Sequence, residues 1–375
     1  MNQDTYLFPH RLTRRDFLKA STAALAVAPL VGAQAAAPQR IGSGKWTYTL
    51  DEAWGRLPAG MKYGLGCGVV VDARDNVYVT SRSASPCVAV FSREGKLLET
   101  WSKDFGDKIG GYTPDQVSGT AHCLYWSKEG ADEFLYFTEN VAAGGKGPDG
   151  KDKPALGKRV YKTDLKGKVL YTIGNVAKEG STSQKFDWTN PTDVAVAPNG
   201  DIYVVDGYGS QRVSRFDKNW KHLKTIGGRA AKDAAKGADA PHGTFSTCHG
   251  IWVNTLGKEP EIFIADRANG RIEIFSLDLA YRRTIPDFKA PCCFYQHAGH
   301  LYVPELGSRV SILDAAGKIV ARLGDGSKVP KEAKEKSLEF VAPHALTVDS
   351  KGDLYVVEWV PYGRVRKFKH TPMAA

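Results

Sequence analysis

The chain has 375 residues, a formal net charge of +10 and six cysteines. Its lysines and arginines are scattered through predicted turns and are not interleaved with aromatic residues in stripes, which argues against a nucleic-acid-binding surface. The cysteines show none of the compact spacing of small disulfide-stapled domains. Composition therefore disfavours those two classes and leaves a globular chain with solvated basic loops.

The first 35 residues are typical of an export signal and are set apart from the folded body. Residues 13–19 read Thr-Arg-Arg-Asp-Phe-Leu-Lys, an apolar stretch follows at residues 20–31, and residues 33–35 have the small side chains of a cleavage site. This pattern resembles the twin-arginine type of bacterial signal. The apolar stretch is shorter than the ~20 residues that span a bilayer, which disfavours a membrane anchor. We therefore expect a periplasmic or secreted protein whose mature part is residues 36–375.

A repeated pattern of strands runs through the mature part, and internal repetition is the main evidence for the fold. Its clearest copy, at residues 190–216, reads as strand, turn, strand, loop, strand, with alternating Val, Ile and Tyr and a tight Pro-Asn-Gly-Asp turn. The six copies begin near residues 65, 117, 190, 245, 290 and 342. One four-stranded unit cannot cover both of its faces, so the units must stack in a closed ring. The pattern predicts an all-β, six-bladed β-propeller of four-stranded antiparallel blades.

The last repeat is one strand short. After Phe368 no fourth strand is expected, whereas residues 45–50 read as a strand without a repeat of its own. We expect this N-terminal strand to complete the last blade and close the ring. Three segments rich in Gly, Lys, Ala and Pro are expected to be surface loops inside one domain. They are residues 142–158, 230–241 and 329–336.

Histidine recurs at one position of the repeat. The six units place the following residues there: Cys67, His122, Thr192, His249, Cys292 and His344. Histidine thus occupies alternate units, which stand about 120 degrees apart in a ring of six blades, so three imidazoles can converge on the axis. Divergence from a repeated ancestor could copy a histidine without a function, and a lone histidine is usually a hydrogen-bonded core group. Three at one register nevertheless predict a metal site made by His122, His249 and His344.

Three neutral imidazoles leave one coordination position open, which is the arrangement of catalytic zinc sites. Imidazole also binds iron, copper, cobalt and nickel, so zinc is the first choice among several divalent transition metals. The sequence leaves open whether a structural calcium ion is also bound. Cys123 and Cys248 are sequence neighbours of two ligands, and because neighbours on a strand point to opposite faces, we expect both to pack between blades.

Three runs of the sequence resemble the NHL-type propeller of peptidyl-α-hydroxyglycine α-amidating lyases. They lie at residues 191–196, 206–212 and 265–272, and the pairs Cys248-His249 and Pro343-His344 also fit. The resemblance covers most of the mature chain and is strongest in its second half. It implies a six-bladed propeller in which the three histidines bind zinc.

The same resemblance implies roles for three further residues. Tyr208 in the Asp-Gly-Tyr turn matches the family's suspected general base, and Arg82 and Arg267 match arginines that hold the substrate. Structural roles are the alternatives, because Tyr208 could cap a turn and Arg267 could form an interblade salt bridge. Arg271 is expected to be structural. The sequence departs from the animal enzymes at Gly209, where they carry a disulfide cysteine, and the motif around Arg82 is partial.

Two functions follow from these observations. The first is a metal-dependent carbon–nitrogen lyase that cleaves a carbinolamide, a peptidyl-α-hydroxyglycine or a related small hydroxy or ureido acid, into an amide and glyoxylate. Its partner would be a small acidic substrate or a peptide C-terminus. The second is a non-catalytic NHL propeller that serves as a periplasmic binding or scaffold module. In both cases we expect a monomer, no nucleic-acid partner and no stable membrane insertion after signal cleavage.

A propeller hydrolase acting on lactones is a third interpretation, which would require carboxylate ligands at the centre. Acidic residues do recur at one later position of the repeat, but we expect them to support loops or arginines. They are Glu139, Asp206, Asp266, Glu305 and Glu358.

Overall fold

The structure is a computed structural model that describes residues 39–109, 122–139, 158–330 and 332–374. Gln39–Ala375 form one compact unit. The export signal predicted at residues 1–35 and all but the last residue of the loop predicted at residues 142–158 lie outside the described residues. No helix among those residues is long and apolar enough to cross a membrane.

The described residues form six sheets, one for each predicted repeat, and the all-β six-bladed propeller is confirmed. Two strands precede the first blade: β1 (Arg40–Ile41) and β2 (Tyr48–Asp51). Blade 1 has β3 (Gly66–Val71), β4 (Val77–Ser81), β5 (Val88–Phe91) and β6 (Leu97–Trp101). Blade 2 has β7 (Cys123–Glu129), β8 (Asp132–Thr138), β9 (Arg159–Thr163), β10 (Val169–Gly174) and β11 (Ser183–Lys185). Blade 3 has β12 (Asp193–Val196), β13 (Ile202–Asp206), β14 (Arg212–Phe216) and β15 (His222–Gly227).

The second half of the chain supplies the other three blades. Blade 4 has β16 (Cys248–Asn254), β17 (Glu261–Asp266), β18 (Arg271–Phe275) and β19 (Tyr281–Ile285). Blade 5 has β20 (Tyr295–His297), β21 (His300–Glu305), β22 (Arg309–Leu313) and β23 (Ile319–Leu323). Blade 6 has β24 (Pro343–Val348), β25 (Leu354–Glu358) and β26 (Arg364–His370), followed by β2 and β1. Short helices lie between strands: α1 (Lys103–Lys108) and 3-10 turns at Gly44–Trp46, Gly237–Asp239 and Arg267–Asn269.

Ring closure by the N-terminal strand is confirmed, with one boundary corrected. Strand β2 pairs antiparallel with β26, so the last blade is completed from the other end of the chain. The strand predicted at residues 45–50 begins only at Tyr48, because Gly44–Trp46 form a 3-10 turn. Strand β1 then adds a fifth strand to this blade, and β11 adds one to blade 2 in parallel.

Burial decreases from the axis outward within a blade. Every residue of the innermost strand β3 is buried, whereas the outermost strand β15 has no buried residue. Six hydrophobic clusters of described residues join neighbouring blades in pairs, including blades 6 and 1. The burial of apolar side chains between blades, and not within any one of them, therefore stabilises the ring.

The tight turn predicted between the first two strands of a repeat is confirmed in blade 3. Gly200 has a φ of +89°, and its backbone nitrogen donates to Ala197 O over 2.8 Å. Glycine adopts positive φ without the steric cost that a side chain brings. The turn places β13 directly beside β12. Strand β13 then ends at Asp206, two residues before Tyr208 of the candidate site.

Candidate metal centre

The three predicted histidines meet at the axis of the propeller. Their candidate ligand nitrogens all lie within 4.8 Å of one another. The ring centroids are 5.0 Å apart for His122 and His249, 5.2 Å for His122 and His344, and 4.8 Å for His249 and His344. All three side chains are buried. Within the described residues, this is the one group of three or more His, Cys, Asp or Glu side chains close enough to hold a metal ion.

Irregular backbone at the repeat position turns these side chains toward the axis. In the innermost strand of blade 4 the pairing register shifts between Cys248 and Ile251, around His249. In that of blade 6 it shifts between Pro343 and Ala345, around His344. Such bulges redirect a side chain out of the regular alternation of a strand. His122 instead lies just before β7, with its backbone nitrogen donating to Thr138 O over 3.0 Å.

Each histidine is oriented by the next blade. The Nδ1 atom of His122 lies 3.0 Å from Thr192 O, that of His249 lies 2.8 Å from Cys292 O, and that of His344 lies 2.7 Å from Cys67 O. The three carbonyls belong to the other three residues of the repeat position. A carbonyl oxygen can only accept, so Nδ1 must carry the proton and Nε2 must present its lone pair. This arrangement of the second ring nitrogen is typical of metal-ligating histidines.

The unpaired Nε2 atoms fit a metal ion. Nε2 of His122 and of His344 are buried and have no hydrogen-bond partner among the described residues, and a buried polar atom without a partner costs about 1–3 kcal/mol. Burial also lowers the pKa of all three imidazoles, to about 3 for His344 and well below the usual value for the other two. They are therefore neutral at pH 7, which is the protonation state that metal binding requires.

Tyr208 and Arg267 lie next to one of the three histidines, His249. The Tyr208 hydroxyl is 3.1 Å from His249 Nε2, and Arg267 Nη1 donates to the same hydroxyl over 3.1 Å. The Arg267 guanidinium also lies 5.1 Å from the centroid of the tyrosine ring. Burial raises the pKa of Tyr208, and the positive charge of Arg267 lowers it by less. A tyrosine, a cation and a candidate metal ligand thus share one hydrogen-bonded group.

Arg82 lies in blade 1, on the other side of the three histidines from Arg267 of blade 4. Its guanidinium lies 5.9 Å from the ring centroid of Trp359, and that indole is stacked on His344 with centroids 5.1 Å apart. The thiol of Cys67 contacts Arg82, and the thiol of Cys292 contacts Arg267. Burial raises the pKa of both thiols to about 11, although the arginines oppose the shift, so the thiols are neutral.

Trp359 and the two thiols were missed as site residues by the sequence analysis. A signal was present, because Arg82, Arg267 and Trp359 share one register, the residue that follows the second strand of its blade. Beside Trp359, a groove of about 470 Å³ is lined by residues of blades 5 and 6. Its lining includes apolar side chains and two lysines: Leu306, Val341, Val360, Tyr362, Lys328 and Lys334.

The expectation for the repeated acidic residues is confirmed. Four of them bind an arginine of the next strand: Glu139 with Arg159, Asp266 with Arg271, Glu305 with Arg309, and Glu358 with Arg364. Asp206 accepts from loop groups, including Thr189 N at 2.9 Å. Arg271 is fully buried between Asp266 and Glu273, as expected for a structural residue. These carboxylates are therefore engaged in ion pairs and loop contacts away from the three histidines.

Both neighbouring cysteines lie between blades, as expected. The Cys123 thiol donates to Asp193 of blade 3. Cys248 packs in the hydrophobic cluster that joins blades 3 and 4. Neither belongs to the three-histidine group, and the described residues contain no second group of three His, Cys, Asp or Glu ligands for a calcium ion.

Comparison with known proteins agrees with this architecture. The NHL repeat model matches residues 189–216, which include the first three strands of blade 3. NHL repeat-containing protein 3 of Homo sapiens is 26% identical over 326 residues, or 84% of this chain and 82% of that protein. Peptidyl-alpha-hydroxyglycine alpha-amidating lyase 1 of Drosophila melanogaster is 28% identical over 222 residues, or 56% of this chain and 39% of that protein. The chain is a six-bladed propeller that contains an NHL repeat and has distant homology to amidating lyases.

Solved structures match this NHL propeller at low sequence identity. A streptogramin B lyase has a TM-score of 0.50 at 14% identity, covering 86% of this chain and 98% of that chain. A gluconolactonase of Xanthomonas campestris has a TM-score of 0.51 at 13% identity, covering 89% and 95%. At this identity the likeness shows the fold alone.

Proposed function

We propose that this NHL propeller is a metal-dependent lyase of the amidating type, which cleaves a carbinolamide into an amide and glyoxylate. One observation carries the proposal. Three buried histidines present converging Nε2 atoms at the axis, and the hydroxyl of Tyr208 lies 3.1 Å from one of them. Homology to amidating lyases supports the same chemistry.

His122, His249 and His344 would hold the metal ion, with zinc as the first choice because three neutral imidazoles suit an open catalytic zinc site. When bound, the ion supplies positive charge that lowers the pKa of the substrate hydroxyl and of the adjacent phenol. The protein contributes rigidity, since a backbone carbonyl fixes each ligand ring through Nδ1. Those carbonyls belong to buried residues of the neighbouring blades, so little reorganisation is needed at the site.

Tyr208 is placed to move the proton. It takes the proton of the substrate hydroxyl, and the hydroxyl carbon becomes the aldehyde carbon of glyoxylate as its carbon–nitrogen bond breaks. The bonding electron pair stays on the nitrogen, which is protonated to complete the amide. Arg267 donates to the tyrosine oxygen over 3.1 Å and so favours the phenolate form.

Arg82 and Arg267 are placed to bind the acidic end of the substrate. They lie on opposite sides of the histidine ring, next to Trp359 and Tyr208 respectively. A guanidinium pairs with a carboxylate through two parallel hydrogen bonds, which fixes both the position and the orientation of the acid. The amide side of the substrate would then extend into the groove beside Trp359.

The test is turnover of N-benzoyl-α-hydroxyglycine by the purified mature protein, with glyoxylate and benzamide both quantified. The proposal predicts equal amounts of the two products, and activity that disappears in His249→Ala but not in the exposed-site control His222→Ala. Production of neither compound above the uncatalysed rate by metal-loaded protein would contradict it.

A binding or scaffold module is the second candidate function. It is favoured by the relative that spans 84% of this chain, because the name of that protein refers only to its repeats. A protein that retains its metal and binds a hydroxyglycine or its amide product without turnover would support this function instead.

We also propose that the chain is exported by the twin-arginine route to the periplasm or beyond. The pair Arg14-Arg15 ahead of an apolar stretch supports the proposal. Replacing both with lysine should leave the protein in the cytoplasm, which cell fractionation measures. Unchanged export of the doubly substituted chain would contradict the route.

A further inference from the structure

A second cavity lies along the innermost strands, on the side of the three histidines away from Arg82 and Arg267. It has a volume of about 630 Å³ and, along β7, extends from Cys123, one residue beyond the histidine, to Gly130 in the turn that follows the strand. None of the three histidines lines it. Close to the three histidines, its lining includes one carboxylate and three thiols: Asp193, Cys67, Cys123 and Cys293.

Asp193 is a buried carboxylate without a cationic partner. Its side chain accepts from Val194 N at 2.8 Å, from Ile251 N at 3.0 Å and from the Cys123 thiol. None of these donors is a cation, and burial raises the pKa of Asp193 to about 7. In contrast, buried Glu139 and Asp266 each bind an arginine. A buried carboxylate is normally paired, so Asp193 lacks a cationic partner among the described residues, although Lys128 and Lys218 line other parts of the cavity.

Three aromatic rings form the wall beyond this carboxylate. Each ring belongs to a residue three positions after the repeat position that holds His122, His249 or Cys292. The three residues all line the cavity: Tyr125, Trp252 and Tyr295. Tyr125 and Trp252 have centroids 5.6 Å apart, and Trp252 and Tyr295 have centroids 5.8 Å apart. The Trp252 Nε1 atom is buried and has no hydrogen-bond partner among the described residues. Aromatic faces around one space bind quaternary or primary ammonium groups through cation–π attraction.

We propose that this cavity binds a small organic ammonium compound. Its cationic head lies near Asp193, and its alkyl groups pack against the faces of the three aromatic rings. A bare metal ion fits less well, because the described residues offer no cluster of three His, Cys, Asp or Glu ligands here. Next to Asp193 an anion fits less well because the carboxylate would repel it, and the two lysines of the lining, Lys128 and Lys218, form no ion pair with that carboxylate. This site is independent of the proposed lyase reaction.

The test is titration calorimetry of the mature, metal-containing protein with choline, compared with 3,3-dimethylbutan-1-ol, a neutral compound of the same shape. Choline should bind about tenfold more tightly, because the neutral compound has no cation–π attraction and no charge for Asp193. Asp193→Asn and Trp252→Phe should each weaken choline binding by about fivefold or more. Asp187→Asn, an exposed control outside the cavity, should not change it.

Three results would overturn the proposal. They are equal affinities for choline and its neutral analogue, no choline binding at millimolar concentration, and calcium that displaces choline in an Asp193-dependent way. Folding of each variant is checked by thermal unfolding. If Asp193→Asn does not fold, Trp252→Phe and Tyr295→Leu decide, since both leave the charged group intact. Glyoxylate release measured on the same samples shows separately whether the proposed reaction occurs.

Discussion

The Nδ1 atom of His344 lies 2.7 Å from the backbone oxygen of Cys67, a residue 277 positions earlier in the chain. This hydrogen bond joins blade 6 to blade 1, and it also orients one of the three candidate metal ligands. Closure of the propeller and assembly of the metal centre therefore depend on the same contact.

Weakening the N-terminal closing strand should weaken metal binding as well as stability. Tyr48 of β2 is 1% exposed, and replacing a large buried aromatic residue with alanine costs about 3–5 kcal/mol. We expect Tyr48→Ala to lower the free energy of unfolding by about that amount and to lower metal affinity. Urea denaturation and metal titration measure the two effects. Lys45→Ala, an exposed control, should change neither, and a Tyr48→Ala protein with unchanged stability would contradict the role of the strand.

The stability of the metal-free protein should fall as the pH is lowered below about 6.5. The pKa of folded His344 is lowered to about 3 by burial, whereas an unfolded histidine titrates near its ordinary value of ~6.5. Between these two values the unfolded chain binds a proton that the folded chain does not, so acid favours unfolding. The contribution is complete above pH 6.5 and is lost progressively toward pH 3.

Urea denaturation of chelator-treated protein at several pH values checks this prediction. The slope of unfolding free energy against pH in this window should be smaller in His344→Gln than in the original protein. His222→Gln, at an exposed position in the outermost strand of blade 3, serves as the control. An identical slope in the original protein and in His344→Gln would show that the imidazole is not buried as the structure indicates.

Removing the Tyr208 hydroxyl should abolish most of the proposed activity and leave the metal in place. A positioned general base contributes about 10²–10⁴-fold to a rate, so we expect Tyr208→Phe to lower kcat by about that factor. Metal content, measured by elemental analysis, should be unchanged because His249 keeps its carbonyl partner. Tyr281→Phe is the matched control at an exposed position. Full activity of Tyr208→Phe would remove this residue from the mechanism.

Arg271 should be essential to stability and irrelevant to chemistry. It is fully buried between Asp266 and Glu273, so truncation leaves two buried carboxylates without their partner. We expect Arg271→Leu to cost about 3–5 kcal/mol of unfolding free energy, whereas Arg283→Leu, which removes a more exposed partner of Glu261 from the same blade, should cost less than about 1 kcal/mol. A stable Arg271→Leu protein with altered kinetics would contradict the structural role.

The repeat made most of the fold predictable from the sequence. Strand alternation and the Pro-Asn-Gly-Asp turn predicted each blade, and registering the repeats predicted that His122, His249 and His344 would meet. The Nδ1 contacts were not predictable, because carbonyl oxygens carry no sequence signal and their positions depend on packing between blades. The unpaired state of Asp193 was hidden for a related reason. It depends on which groups reach that carboxylate in three dimensions, and its donors are one thiol and two backbone amides.

The most direct test of the central claim is the metal content of the purified mature protein, measured by elemental analysis. We expect about one transition metal ion per chain, because the three histidines form a single site. That ion should be lost in His249→Ala and in His344→Ala but kept in His222→Ala, with all three variants folded. Metal-free protein after preparation in the presence of zinc, or metal retained unchanged in both ligand variants, would contradict a metal centre at these histidines.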